Sequence, residues 1–146
     1  MVMKMKGSKD LLSSILKTTQ MGQVGIRAVM EHAVRPNIKK ELKSQLAEYD
    51  TIEQEAHNLA ATRGWELEEL DPVVKYMAGM MSRMQLMSSN VDSKIAAMMI
   101  QGNTKGMIKS LKNMHRYNGA DTQISTLSQK LLDCETANIR QMQEYV

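Results

Sequence analysis

The placement of the chain's few helix-breaking residues constrains its fold more than any other sequence feature. There are only two prolines, Pro36 and Pro72, and each stands where it could open a helix, a position at which its missing N–H costs nothing. Gly64 and Gly119 stand where glycine commonly ends a helix. The stretches between these residues carry apolar side chains at three- and four-residue spacing, which indicates helices packed on one face.

The positions of these prolines and glycines predict four long helices, over residues 8–34, 36–63, 90–117 and 121–145. The link over residues 65–89 is too long for a simple turn, because bundle connections usually take about two to eight residues. Asp71 is a suitable N-cap for a further helix from Pro72 to about Met87. The alternative is one continuous rod from Pro72 through the third long helix, but the polar residues 88–90 favour a fresh start.

The connections then predict the topology. The break at Arg35–Pro36 and the turn over residues 118–120 are short, so each joins two antiparallel helices into a hairpin. Two hairpins joined by one long crossover form a ferritin-like arrangement. We therefore predict a single all-α domain over residues 1–146, a ferritin-like antiparallel four-helix bundle whose crossover, residues 65–89, holds an additional Met-rich helix.

Composition narrows the classes of function. Apolar residues make up 42% of the chain and charged residues 24%, which is typical of a globular protein. The net charge is only +3, with Lys and Arg scattered among 16 acids, so nucleic-acid binding is disfavoured. No apolar run is long enough to predict a transmembrane helix. Cys134 is the only cysteine, which excludes an intramolecular disulfide, and no signal peptide is visible. We expect a cytoplasmic protein.

A ferritin-like metal centre would lie at mid-height in the bundle. Such centres take a Glu from each of two helices and a Glu-x-x-His motif from each of the other two. At mid-height the helices carry mainly amide and hydroxyl side chains. We call this predicted layer of polar side chains the polar waist; its residues are Gln23, Gln101, Thr104, Glu135 and Asn138. Two dications need about four carboxylates, and amide oxygens are weak substitutes. We therefore expect no cofactor and a layer of side chains that hydrogen-bond to one another or bind water.

A metal site remains the alternative. Its ligands would be Glu53, His57, Glu135 and Asn138, and its metal iron or manganese. Glu53 and His57 are spaced by one helical turn, while Glu135-x-x-Asn138 places Asn where the motif requires His.

Three segments give the chain a resemblance to known families. They are residues 131–139 (Leu-Leu-Asp-Cys-Glu-Thr-Ala-Asn-Ile), residues 63–65 (Arg-Gly-Trp) and residues 95–104 (Ile-Ala-Ala-Met-Met-Ile-Gln-Gly-Asn-Thr). Together they resemble small ferritin-like proteins of Firmicutes, and the Arg-Gly-Trp segment is similar, more distantly, to spore-coat F-like proteins. The resemblance implies a ferritin-like bundle. Its iron-binding relatives use Glu and His at the positions held here by Gln23, Tyr49, Ile52 and Asn138.

The predicted crossover helix carries methionines at helical spacing, namely Met77, Met80, Met81, Met84 and Met87. Thioethers could bind Cu(I), a soft ion. The same spacing produces an apolar stripe that packs on the bundle or on a second copy. Packing is favoured because no His or Cys accompanies the methionines.

These features predict a non-catalytic ferritin-like protein with a degenerate di-iron site. It would act through self-association, as a homodimer, or through binding another protein, with a spore-related assembly as one option. The rival is a metal-binding protein or di-metal oxidase with a reduced ligand set. Neither a nucleic acid nor a membrane is expected as a partner.

Overall fold

The chain forms five α-helices in the part that the structure, a computed structural model, describes: residues 6–85 and 89–146, without the side chains of 80–85. They are α1 (Ser8–Met30), α2 (Pro36–Arg63), α3 (Pro72–Gln85), α4 (Val91–Arg116) and α5 (Thr122–Gln143). Over these residues no strand occurs beyond an isolated parallel bridge between Lys6 and Tyr117. The predicted all-α class is confirmed. No helix in the described ranges is long and apolar enough to cross a membrane.

Three helix ends follow the expected local signals, whereas α4 ends at Arg116, before Gly119. Pro36 is the first residue of α2, and Gly64 ends that helix in the left-handed conformation with φ 67°. The N–H of Trp65 donates to the carbonyl of Ala60 at 3.0 Å, which satisfies an otherwise free helical carbonyl. The side chain of Asp121 caps α5 by accepting from the first backbone N–H groups of that helix.

The end of α1 lies well away from its predicted position, whereas the predicted separation of the crossover helix from the third long helix is found. α1 ends at Met30 rather than near residue 34, since residues 31–35 form the turn into α2. α3 and α4 are separate helices, so the alternative of one continuous rod is wrong. Asn90 precedes α4 with φ 60°, a left-handed conformation that interrupts a right-handed helix.

Contacts between side chains show that neighbouring long helices run antiparallel. Residue numbers rise along α2 as they fall along α5, in the pairs Gln45–Gln141, Glu55–Lys130 and Arg63–Asp121. The same holds between α4 and α5, in the pairs Asn103–Asn138 and Ser110–Glu135. Around the bundle the order is α1, α2, α5, α4, and α1 also touches α5 across the interior.

The crossover lies along α1. The backbone N–H of Leu70 donates to Gln20 Oε1 at 2.8 Å, and Lys17 donates to Glu68 at 2.7 Å. α3 continues against α1, and the chain then enters α4 beside the α1–α2 turn. Met77 is 56% exposed. Met87 lies outside the described residues, as do the side chains of Met80, Met81 and Met84, so the predicted methionine stripe remains a prediction.

The core consists of apolar side chains from all four long helices. Burial of each large aliphatic side chain stabilises the fold by about 1.5–3 kcal/mol. The largest fully buried apolar side chains are Leu11, Leu12, Leu16, Ile26, Ile38, Leu42, Ile52, Ile95, Ile124, Leu131 and Met142.

Asp92, in the first turn of α4, ties the second hairpin to the first. Its carboxylate accepts hydrogen bonds from the backbone N–H of Val34 at 2.7 Å and of Arg35 at 3.0 Å, and from Arg35 Nε at 3.0 Å. Burial alone would raise the pKa of Asp92, but these hydrogen bonds and the charge of Arg35 lower it. The ionised carboxylate thus satisfies backbone donors that would otherwise lack a partner at this end of the bundle.

We predict that Asp92→Ala lowers the free energy of unfolding by about 2 kcal/mol near neutral pH, because two backbone donors lose their acceptor. The pKa of Asp92 is lower in the folded state than its ordinary value of 3.8. Its contribution is therefore complete above that value and is lost as the pH falls through the folded-state pKa. Urea unfolding of both proteins at several pH values measures this.

The control is Asp50→Ala, which removes an exposed carboxylate from α2 and should change stability by less than about 0.5 kcal/mol. A gap between wild type and Asp92→Ala that stays constant down to about pH 2 would contradict the proposed role of the carboxylate.

Candidate functional site

Three buried polar side chains from three helices meet at mid-height in the bundle. The hydroxyl of Tyr49 on α2 donates to Asn103 Oδ1 on α4 at 2.7 Å. Asn138 Nδ2 on α5 donates to the same oxygen at 3.4 Å, and Asn103 Nδ2 donates to the Met99 carbonyl at 2.8 Å. Both the oxygen and the nitrogen of the Asn103 side-chain amide thus form hydrogen bonds within the protein.

The surroundings of Tyr49 keep its hydroxyl protonated. Burial raises the pKa of Tyr49 far above its usual value, and the nearby Glu135 and Cys134 add to the rise. α1 approaches this ring at Gly22, where an added Cβ would lie 2.7 Å from two ring carbons. Tyr49 is therefore a neutral hydrogen-bond donor, and only glycine fits opposite its ring.

Glu135 is a carboxyl group enclosed by the bundle, only 1% exposed. The hydroxyl of Ser110 donates to its Oε1 at 2.8 Å, and its Oε2 occupies the space that a Cβ on Gly106 would fill. Burial raises the pKa of Glu135 to about 7, opposed by the Ser110 hydrogen bond and by the charge of Lys109. Near neutral pH, Glu135 therefore exists in both protonation states.

Cys134 has the properties of a buried, inert thiol. Its Sγ–H donates to Glu48 Oε2 at 3.2 Å. Burial, and then the hydrogen bond and charge of Glu48, raise the pKa of Cys134 far above the usual thiol range. The thiolate, which is the nucleophilic form, is therefore scarce at neutral pH.

The residues of the alternative metal site are divided between different contacts. Gln23 Nε2 donates to Glu53 Oε1 at 3.3 Å, and His57 Nε2 lies 3.9 Å from Glu69 in the crossover. Glu135 and Asn138 instead contact α4. Within residues 6–85 and 89–146, no three His, Cys, Asp or Glu side chains lie close enough together to hold a metal ion.

The predicted waist needs one correction. Gln101 is exposed and Thr104 half-buried, whereas Gln23, Glu135 and Asn138 are buried. The interior position on α4 belongs to Asn103, because a shift of two residues turns a side chain by about 200° around the helix. The sequence-based prediction missed Asn103 and Ser110. The helical spacing that these two residues share with Met99 was the signal that could have placed them on the interior side of α4.

Two glycines on α4, one helical turn apart, provide a matched test of the close approach of Glu135. Gly106→Ala should lower the free energy of unfolding by about 1–3 kcal/mol, because the new methyl group displaces the carboxylate from Ser110. Gly102→Ala has open space around its Cβ and should raise stability by up to about 1 kcal/mol through helix propensity. Thermal and urea unfolding measure both, and equal effects of the two substitutions would contradict the structure.

We predict a stability change with pH from Glu135. Its pKa rises from 4.5 to about 7 on folding, so its contribution is complete below pH 4.5 and is lost as the pH rises through 7. Between about pH 4.5 and 8, the unfolding free energy of wild type should fall by on the order of 2–3 kcal/mol relative to Glu135→Gln. Urea titrations measure the difference, with the exposed Glu66→Gln as control. Parallel pH profiles of wild type and Glu135→Gln would refute the prediction.

Comparison of the chain with models of protein families, with curated proteins and with solved structures finds no match.

Proposed function

We propose that the chain is a non-catalytic, ferritin-like helical protein with a degenerate metal site that acts through self-association. The connectivity supports the fold: two antiparallel hairpins, α1–α2 and α4–α5, are joined by a crossover that lies along α1. This path makes α4 run in the same direction as α2, as in a bundle with one long crossover. We include in this proposal the resemblance to small ferritin-like and spore-coat F-like proteins. We also propose a cytoplasmic location, with association with the spore as one option.

The observation that carries the non-catalytic assignment is the internal pairing of the waist. Tyr49 and Asn138 both donate to Asn103 Oδ1, and Gln23 is bonded to Glu53. Among the described residues, only Asn138 Oδ1 of this group is buried without a hydrogen-bond donor. A pair of dications would need about four carboxylates in place of these phenol and amide groups. The residues at mid-height therefore do not fit a di-iron or di-manganese centre.

Self-association is supported by the outer face of α3. Val73, Tyr76 and Met77 are 67%, 67% and 56% exposed, and their spacing places them on one side of the helix. The opposite side of α3 packs on α1. Contiguous exposed apolar side chains mark interaction surfaces, and a twofold interface brings the same patch of two copies together. A second copy of this chain is therefore the partner we assign to the α3 face.

The test is the mass in solution. Light scattering after size exclusion and sedimentation equilibrium should show a dimer, and Tyr76→Asp should weaken dimerisation at least tenfold, because two buried carboxylates would face each other across the twofold axis. Ile108→Asp is the matched control, since it replaces an apolar side chain that is 46% exposed on α4. A monomer at all concentrations, or a dimer unaffected by Tyr76→Asp, would overturn the role of the α3 face.

The non-catalytic part has a separate test. Protein purified without chelator should contain far less than one equivalent of iron or manganese, and supplying either metal should not alter its unfolding temperature. Stoichiometric metal that disappears in Glu135→Ala, or in Glu53→Ala and His57→Ala, would instead establish the metal-binding alternative.

A further inference from the structure

An apolar chamber of about 470 Å³ lies between α1, the crossover with α3, and α4. Its lining includes Met21, Gly25, Leu70, Met98 and Gly102. The volume is within the range of small-molecule sites, about 300–1,000 Å³. Two of these residues are helical glycines with ample room, since an added Cβ would lie 3.9 Å from Met99 at Gly25 and in open space at Gly102.

A second, basic chamber of about 350 Å³ adjoins the first, and Lys17 and Lys109 line both. Lys6 and Arg116 complete its basic lining, and the polar side chains of Ser13 and Ser14 line it too. The two chambers together thus form an apolar space that ends in a group of cations.

The cations of the basic chamber are incompletely neutralised. Two acids, Asp10 and Glu68, share the lining, and Glu68 is held by Lys17 at 2.7 Å. Loss of hydration and the charges of Lys6 and Lys17 lower the pKa of Lys109, against the opposing charge of Glu135. Within the described chain, Arg116 Nε is buried without a hydrogen-bond acceptor.

We propose that the two chambers together bind a single-chain amphiphile with an acidic headgroup. The headgroup binds between Lys17 and Lys109, and the apolar chain lies between α1 and α4. An alkyl amine would place a cation among lysines, and a free phosphate would leave the apolar chamber unused. Glu135 also lines the apolar chamber and its charge acts on Lys109, but its carboxyl is enclosed by the bundle and bonded to Ser110.

Calorimetric titrations below the critical micelle concentration test the ligand class. Affinity should rise about fourfold per methylene from hexanoate to decanoate, as expected for burial of a growing chain. Decanoate should bind at least tenfold more tightly than decanol or decyltrimethylammonium, and inorganic phosphate alone should not bind. Decyl phosphate compared with decanoate identifies the preferred acidic headgroup.

Variants of both chambers locate the site. Lys109→Met should weaken decanoate binding at least tenfold and leave decanol binding unchanged, while Lys43→Met, an exposed position on α2, should change neither. Gly102→Leu should abolish binding of both ligands by filling the apolar chamber. If Gly102→Leu fails to fold by circular dichroism, Met98→Trp fills the same space.

Three results would overturn the proposal. They are no binding of decanoate at about 1 mM, equal affinity for decanoate and decanol, and undiminished decanoate binding in a folded variant with a filled chamber. The dimer test of the α3 face is independent of all three, so the two proposals can fail separately.

Discussion

The hydrogen bond from Tyr49 to Asn103 fixes the register on which the rest of the bundle depends. It joins α2 to α4, which lie across a diagonal of the bundle, and Asn138 extends it to α5. An unpaired buried polar group costs about 1–3 kcal/mol, so a slip of one residue along any of these helices would leave several such groups unpaired. Apolar side chains alone specify register less strictly, because they pack in many similar ways.

The two ends of the bundle are closed by carboxylates that each join one hairpin to the other. At one end, Asp92 accepts from the α1–α2 turn. At the other, Asp121 caps α5 and also binds Arg63, the last residue of α2, at 2.7 Å. Both acids lie at helix N-termini, where the helix dipole favours negative charge. The crossover therefore connects hairpins that are already held together at top and bottom.

Local chemistry made much of the fold predictable from the sequence. Pro36, Gly64 and Asp121 act on the backbone within one turn of themselves, so helix ends could be found without knowledge of the packing. The all-α class followed from the same signals and from the helical spacing of apolar residues.

The rotation of α4 could not be found in this way. Its apolar residues Ile108 and Leu111 are 46% and 39% exposed, while Asn103 and Ser110 are buried. Hydrophobic periodicity identifies the most apolar side of a helix as the buried one. It fails for α4 because the side that faces the interior is polar. Its partners, Tyr49 and Glu135, are distant in sequence and come together only in the folded chain.

The glycines on α1 and α4 are of two kinds: some are required by the packing of the fold, and others only line the apolar chamber. In a helix interior each glycine costs about 1 kcal/mol relative to alanine. Gly22 and Gly106 are explained by close approach, because a Cβ at either would collide with Tyr49 or Glu135. Gly25 and Gly102 meet no such obstacle, yet both line the chamber. Close packing therefore requires glycine at positions 22 and 106. Gly25 and Gly102 instead lower helix stability and leave open the space that leads to Lys17 and Lys109. A binding site requires such a space, whereas a bundle core does not.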